Sequence, residues 1–483
     1  MTAAARRVRT ALSDGPMAVR DFRLLLAGQL SSTIGDFCYA VALPWLVLSG
    51  DGGTVLLGTV LACYGIPRVL TIPLGGVVAD RFGGRRVMLV TDLVRAAAVG
   101  SLAVTTALTG TPGLVHLAPV AVVLGACSGV FIPSSYTLLP ALLPKDDLGR
   151  GNALSTMVNQ VGGLLGPTVG GALVAGFGAV PALTVDAVSF LVSAFVLARM
   201  RTGRKAAPEE AAHPSGAPEP QGPSFREVLR GGRLLHVVLV VALVCNLAFN
   251  GTIEVALPEL AHQRMGATGY GILLTCLSVG GLAGSLVAAR SRTVKSPAYL
   301  FAALAVVMGV ALAAVPFAGG LAGAAVCVVV YAVASGWQNI VVVTMLQVWS
   351  PPALIGRVMS LVMLAVMGTF PVSVAVAGFG VSHLGAAPFF PVAGAAIALS
   401  VVGALSSRTF RGHRAGTEYV SSAGATGPAA GTGPPAPPVV PPAAPAVAGD
   451  GTGEDPPRHP PVTGVPSVHS TRQWQDSSQE SQG

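Results

Sequence analysis

Charge is what this chain of 483 residues lacks: 10% are Asp, Glu, Lys or Arg, against 52% hydrophobic. A soluble globular domain carries about 25% charged residues. So few charges cannot coat a water-facing surface of this size, which excludes a large soluble domain. The mean hydropathy of +0.68 agrees. Cysteine is scarce as well. Cys38, Cys63, Cys127, Cys245, Cys276 and Cys327 all sit inside apolar runs with no CxxC spacing. They read as small buried side chains, not as disulfides or metal ligands. The eight histidines form no HExxH pair, and no GxxxxGK[ST] loop occurs, so zinc hydrolysis and P-loop ATP hydrolysis have no residues to work with. The net charge of +8 is spread between apolar runs instead of gathering in one domain, which argues against a nucleic-acid partner. No cleaved leader is expected. The N-terminal basic stretch runs straight into an apolar segment too long for an h-region, with no clear small-residue cleavage site.

What the chain does have is apolar runs near the roughly 20 residues that cross a bilayer as a helix. Read between breakers, they predict spans at 22–49, 55–79, 87–109, 113–138, 151–176 and 179–198, then 234–257, 267–290, 297–318, 321–346, 357–381 and 386–406. The expected fold is an all-α integral membrane protein of twelve transmembrane helices. Residues 1–21 precede an N-terminal six-helix half (22–198), a polar flexible linker (199–233, with APEEAAHPSGAPEPQGPS) and a C-terminal six-helix half (234–406). Residues 407–483 (GTGPPAPPVVPPAAPAVAGDGTG among them) are too poor in core-forming residues to fold alone and are expected to be a disordered tail.

Basic residues set the expected orientation. Alternate loops hold Arg6, Arg7, Arg9, Arg20 and Arg23; Arg81, Arg85 and Arg86; Lys145 and Arg150; the linker arginines; Arg290, Arg292 and Lys295; Arg357; and Arg408, Arg411 and Arg414. The other loops hold only Arg264. The positive-inside rule places the crowded class, and with it both termini, in the cytoplasm of a cell that carries this protein in its plasma membrane. A short repeat supports two halves. PKDDLGR (144–150) precedes the fifth span and PPALIGR (351–357) the eleventh, each followed by a serine, Ser155 and Ser360. Two halves around a central path is the architecture of a secondary transporter.

PLGGVVADRFGGRR (73–86) sits between the second and third spans. A glycine at 76 lets neighbouring helices approach closely. Asp80, at the end of span two, suits the positive N-terminus of another helix, and the repeat nominates that of span eleven near Gly356–Arg357. The stretch resembles the loop between spans two and three of the major facilitator superfamily, G-x-x-x-D-R-x-G-R-R, at Gly76, Asp80, Arg81, Gly83, Arg85 and Arg86. Gly84 stands where that family usually has its first basic residue. The resemblance implies a gating loop that couples the halves; without it, the knot is a basic topological anchor. FRLLLAGQLSSTIGDFCYAVALPWLVL, LVRAAAVG and GRVMSL are similar to the branch containing the enterobactin exporter and macrolide efflux proteins. In span five, GGLLGPTVGG offers Gly162, Gly163, Gly166, Gly170 and Gly171 around Pro167, a smooth helix that proline bends. It resembles the G-x-x-x-G-P-x-x-G-G motif of the antiporter branch, which implies export. The family's fourth-span arginine is absent from LGACSGVFIPSSY.

Charges within spans are costly and call for a reason. Asp36 lies about 20 Å into span one, counting 1.5 Å per residue from Arg23, and shares a stripe with Gln29, Ser32, Thr33 and Tyr39. Burial disfavours an ionised carboxylate and a nearby arginine favours it. Asp36 is therefore the expected proton site, with Arg68, one turn past Tyr64, as its modulator; the alternative is a permanent structural pair. Asn246, Asn250 and Glu254 repeat every four residues in span seven. Glu254 is expected to bind a proton or a cationic group, or to stand as a gate in outer-mouth water. Asp92, Arg95 and Asp186 read as structural. Tyr39, Tyr64, Asn246 and Asn250 are substrate-path candidates, as are Asn159, Gln160, Trp337, Gln338 and Asn339, which read equally as helix–helix hydrogen-bond formers.

The expectation is an exporter of a small amphipathic organic compound (a drug, antibiotic, siderophore or other metabolite), working by alternating access in exchange for protons. An importer of the same fold and a lipid flippase are the alternatives. No enzyme, cofactor or metal is expected. The partners are the small molecule, protons and the bilayer, with the monomer as the working unit.

Overall fold

The apolar runs are helices. A computed structural model describes residues 15–50, 52–144, 147–201, 225–291, 296–350 and 354–407. Among them, twelve helices are long and apolar enough to cross a membrane. They are α1 (Arg20–Leu48), α2 (Gly53–Phe82), α3 (Gly84–Thr109), α4 (Leu114–Leu142), α5 (Leu148–Phe177), α6 (Ala179–Arg199), α7 (Arg233–Arg264), α8 (Gly266–Arg290), α9 (Pro297–Phe317), α10 (Leu321–Trp349), α11 (Ile355–Leu384) and α12 (Ala386–Ser406). All belong to one structural unit. Arg6, Arg7, Arg9, Lys145, Arg292, Lys295, most of the linker and the tail lie outside the described residues.

Two boundaries differ from expectation. Span seven continues past residue 257 through the polar stretch LPELAHQR to Arg264. Pro258, inside this continuous helix, has no N–H to give the ladder, and the wider turn just before it makes room for its ring. Within the linker, Phe225–Gly231 is a short helix because it has something to bury: Val228 is fully enclosed, and Gly232 beside it packs on the Trp349 ring.

The halves repeat one packing scheme. In the first, α1 packs on α5 and α6, α2 on α4, and α3 on α4 and α6; in the second, α7 packs on α11 and α12, α8 on α10, and α9 on α10 and α12. The P-x-x-x-x-G-R repeat extends through whole helices. α5 and α11 each have 30 residues, and α6 and α12 each have 21. The turn between them is a glycine in both cases, Gly178 at φ 80° and Gly385 at φ 83°, where a side chain would be strained.

Two seams join the halves, α2 against α11 and α5 against α8, and the packing scheme makes them equivalent. Gly58, sixth in α2, crosses Gly378, seventh from the end of α11; Gly271, sixth in α8, crosses Gly171, seventh from the end of α5. A Cβ on Gly58 would lie 2.5 Å from the Val374 carbonyl oxygen and 3.0 Å from the Gly378 Cα. One on Gly171 would lie 2.9 Å from the Ala267 carbonyl oxygen and 3.2 Å from the Gly271 Cα. The backbones touch, which small residues alone permit.

These crossings fall at the end of the bundle away from the α2–α3 loop. So do the Thr54 hydroxyl donating to the Gly378 carbonyl at 3.1 Å, the Thr168–Thr275 hydroxyl pair at 2.8 Å and the edge contact of Trp45 with His262 at 4.6 Å. Towards the α2–α3 loop the seams part. Nothing lies within 4 Å of a Cβ built on Gly76, and Met157 of α5 and Met363 of α11 are 62% and 61% exposed. A crevice between the halves is therefore open at the basic-loop end and closed at the other.

Candidate functional site

The closed end of the crevice is floored by charged and amide side chains on apolar walls. A cavity of about 200 Å³ is lined by Arg68, Val69 and Ile72 from α2, Asn246, Asn250 and Glu254 from α7, and Val366, Met367 and Phe370 from α11. Arg68 stands 5.8 Å from the Tyr64 ring centre. Tyr64 donates its hydroxyl to Ser128 of α4 at 3.3 Å and meets Phe370 across the seam edge-on at 6.4 Å. Arg68 makes no salt bridge with Asp36 but stays within its electrostatic reach, and it also faces the same space as Glu254.

The spacing of Asn246, Asn250 and Glu254 does put them on one face. Asn246 and Asn250 each donate an amide hydrogen to the carbonyl four residues earlier, both at 2.9 Å, which leaves their side-chain oxygens as acceptors. α7 runs ten residues beyond Glu254, to Arg264. Glu254 lies in a π-turn, Thr252–Ala256. The cause is on α11. The Ser373 hydroxyl accepts from the Gly251 N–H at 2.6 Å and donates to the Leu247 carbonyl at 2.5 Å, taking the place of the bond those two groups would share in an α-helix. A side chain inserted into the ladder widens the following turn. Ser373 is a positioning residue that the sequence reading missed; one serine among many apolar neighbours carries no such signal.

Asp36 lies midway along α1. Ile34, Phe37 and Cys38 pack that helix on the α5 glycines, and Gly35 packs it on Ser189 and Asp186 of α6. Asp36 therefore points away from both neighbours and is exposed. Of its expected stripe, Thr33 donates to the Asn159 side-chain oxygen at 3.1 Å and Tyr39 is half-buried, but Ser32 is buried and bonds back to the Gln29 carbonyl. Gln160 is half-buried beside Asn159. The α5 glycines divide by face: Gly162, Gly166 and Gly170 against α1, Gly163 and Gly171 with Pro167 against α8.

Span ten separates its three candidates. Asn339 lines a second cavity of about 310 Å³ in the C-terminal half, with Ser285, Ser335 and the stacked Phe249–Tyr331 pair, ring centres 5.3 Å apart. Gln338 is turned away from any path: it is 7% exposed and donates to the Phe301 carbonyl of α9 at 3.2 Å, a helix–helix bond. Trp337 is half-buried against the core.

The α2–α3 loop holds one correction. Gly76 makes no close approach; Gly75 does, against Val130 and Pro133 of α4, one residue being about 100° of helix rotation. Asp80 is exposed. Arg81 lies over Phe82 at 5.4 Å. Arg85 donates to the Leu197 and Ala198 carbonyls at 2.7 and 2.8 Å, satisfying the end of α6. Behind it, Arg95 donates to Asp92 at 2.7 Å between the rings of Phe131 and Phe190, and Ser193 of α6 donates to the other Asp92 oxygen at 2.7 Å. This is structural packing. Arg95→Ala leaves a buried carboxylate unpaired and is expected to cost about 3–5 kcal/mol. Asp92→Asn combined with Arg95→Met recovers most of that loss, as thermal melting of the purified protein will show.

Residues 25–369 match the sequence model of the Major Facilitator Superfamily. The chain belongs to this family. It is thus a multi-pass membrane transporter of small molecules and not an enzyme. Among curated relatives, the multidrug efflux pump Tap of Mycolicibacterium fortuitum is 26% identical over 61% of this chain and 73% of its own length. Tap of Mycobacterium tuberculosis (strain H37Rv) is 25% identical over 54% of this chain; the match spans 64% of that relative, under two thirds of it. The Bacillus subtilis MFS-type transporter YfiS is 25% identical over 64% of this chain and 73% of its own length. Among solved structures, a peptide transporter POT in complex with sulfate aligns with a TM-score of 0.64 at 15% identity, over 80% of this chain and 94% of that one. A D-xylose-proton symporter aligns at 0.58 and 16% identity, over 80% and 95%. At those identities the likeness is one of fold.

Proposed function

We propose that this transporter exports small amphipathic organic compounds in exchange for protons, with both termini and the basic loops in the cytoplasm. One observation carries the reading: a cavity with few charges and apolar walls lies at the depth of a crevice open to the basic-loop end, where a cytoplasmic compound would enter. Asp36 is the proton site, exposed on α1 in the first half, while the cavity joins both halves. The loop from Gly76 to Arg86 closes the cytoplasmic end when the halves tilt back, with Asp80 docking on the start of α11. The likeness to multidrug pumps named Tap, the α5 glycine motif and the similarity to the enterobactin-exporter and macrolide-efflux branch all favour export over uptake.

Inverted membrane vesicles energised to an acid interior test this. Adding a transported compound is expected to release protons from the lumen, seen as recovery of a quenched acridine dye. Accumulation in right-side-out vesicles instead would make the protein an importer. Movement of labelled lipid with no response to any soluble compound would make it a flippase.

A further inference from the structure

Two side chains of opposite charge face the same cavity and do not meet. Arg68 and Glu254 both line the space of about 200 Å³, and no ion pair joins them. The Arg68 Nε is buried without a hydrogen-bond partner, and the guanidinium stands over the Tyr64 ring at 5.8 Å. Glu254 is held on the π-turn that Ser373 imposes. A half-buried charge is costly to leave unmatched, and here each charge stands at an edge of an empty space. The two also stand on different halves, so a molecule that reaches both ties the halves together at the site.

We propose, building on the reading as an exporter of small organic compounds, that the transported molecule is a zwitterion. Its carboxylate or equivalent anionic group lies on Arg68 and its protonated amine on Glu254. The planar fork of Arg68 fits a carboxylate with two parallel hydrogen bonds. On the α7 side, Asn246 and Asn250 add acceptor oxygens that suit an ammonium beside the Glu254 carboxylate. Phe370 and Met367 supply the wall for the apolar body.

The test is equilibrium binding to the full-length protein in lipid nanodiscs, using matched triplets built on phenylalanine, tryptophan and naphthylalanine. Each triplet has the zwitterion, its cationic methyl ester and its anionic N-acetyl derivative. The zwitterion of the best-fitting triplet is expected to bind about tenfold or more tighter than either partner, as one charge-assisted contact implies. Arg68→Ala should bring it level with the ester, and Glu254→Gln level with the N-acetyl compound. Arg68→Lys and Glu254→Asp should retain part of the preference, which excludes simple misfolding. Equal binding of zwitterion and ester, an equal loss of all three compounds in Arg68→Ala, or binding of no triplet overturns the proposal. No gradient is present, so a missing charge preference leaves export standing, and failed export leaves the charge preference measurable.

Discussion

Replacing Asp36 with Asn is expected to uncouple the transporter without unfolding it. Asparagine keeps the shape of the side chain, and Asp36 makes none of the contacts by which α1 packs: those belong to Ile34, Phe37, Cys38 and Gly35. What is lost is the ability to take up and release a proton. In proteoliposomes containing a pH-sensitive dye, the variant should show no compound-driven proton movement and no uphill transport. Exchange of labelled for unlabelled compound should continue, because it needs only the tilting of the halves. Asp186→Asn is the control. Asp186 lies behind Gly35, 1% exposed and within electrostatic reach of Asp36, so its variant should keep coupling while shifting the pH at which coupling is half-maximal. Full coupling in Asp36→Asn would remove Asp36 from the role, and loss of it in Asp186→Asn alone would move the proton site to α6.

The twelve helices were readable because each must satisfy its own backbone in the bilayer, which forces an apolar run of known length. The end of α7 was not, since LPELAHQR is polar yet stays helical, and hydropathy marks where a run leaves oil, not where a helix stops. Duplication was visible in two heptapeptides, but its extent, with matched helix lengths and glycine turns, needed the fold. Within the site, i, i+4 spacing gave the shared face of Asn246, Asn250 and Glu254. It could not say what that face meets, and so missed that Arg68, near Asp36, also stands across from Glu254. Motif matching placed weight on Gly76, whereas the close contact belongs to Gly75, because a pattern of residue types carries no helix azimuth. Gln338 shows the same blindness in reverse: a polar residue in a span answers either to a ligand or to a neighbouring carbonyl, and only the partner decides.

The glycine crossings between the halves should tolerate no large side chain. At Gly378 a Cβ would stand 2.7 Å from the Thr54 carbonyl oxygen and 3.1 Å from the Gly58 Cα, and at Gly171 the obstacles are likewise backbone atoms. Backbone cannot swing aside as a side chain does, so Leu at either position must force the seam apart. Overpacking of this kind costs about 1–3 kcal/mol even where neighbours yield, and at 3 kcal/mol a two-state equilibrium moves by roughly 100-fold. The cost falls only on the conformation closed at this end. Each half should therefore stay folded while the population shifts to the state open there. Gly378→Leu and Gly171→Leu, on equivalent seams, should each reduce transport to background. In a cysteine-free background, each should also raise labelling of Thr168→Cys by an impermeant thiol reagent added from the side opposite the basic loops. Gly176→Ala on the same helix as Gly171 meets nothing within 4 Å and should leave both readouts unchanged. Normal transport in both leucine variants would mean that the seams do not part during the cycle, and the tilting of two halves would have to be abandoned.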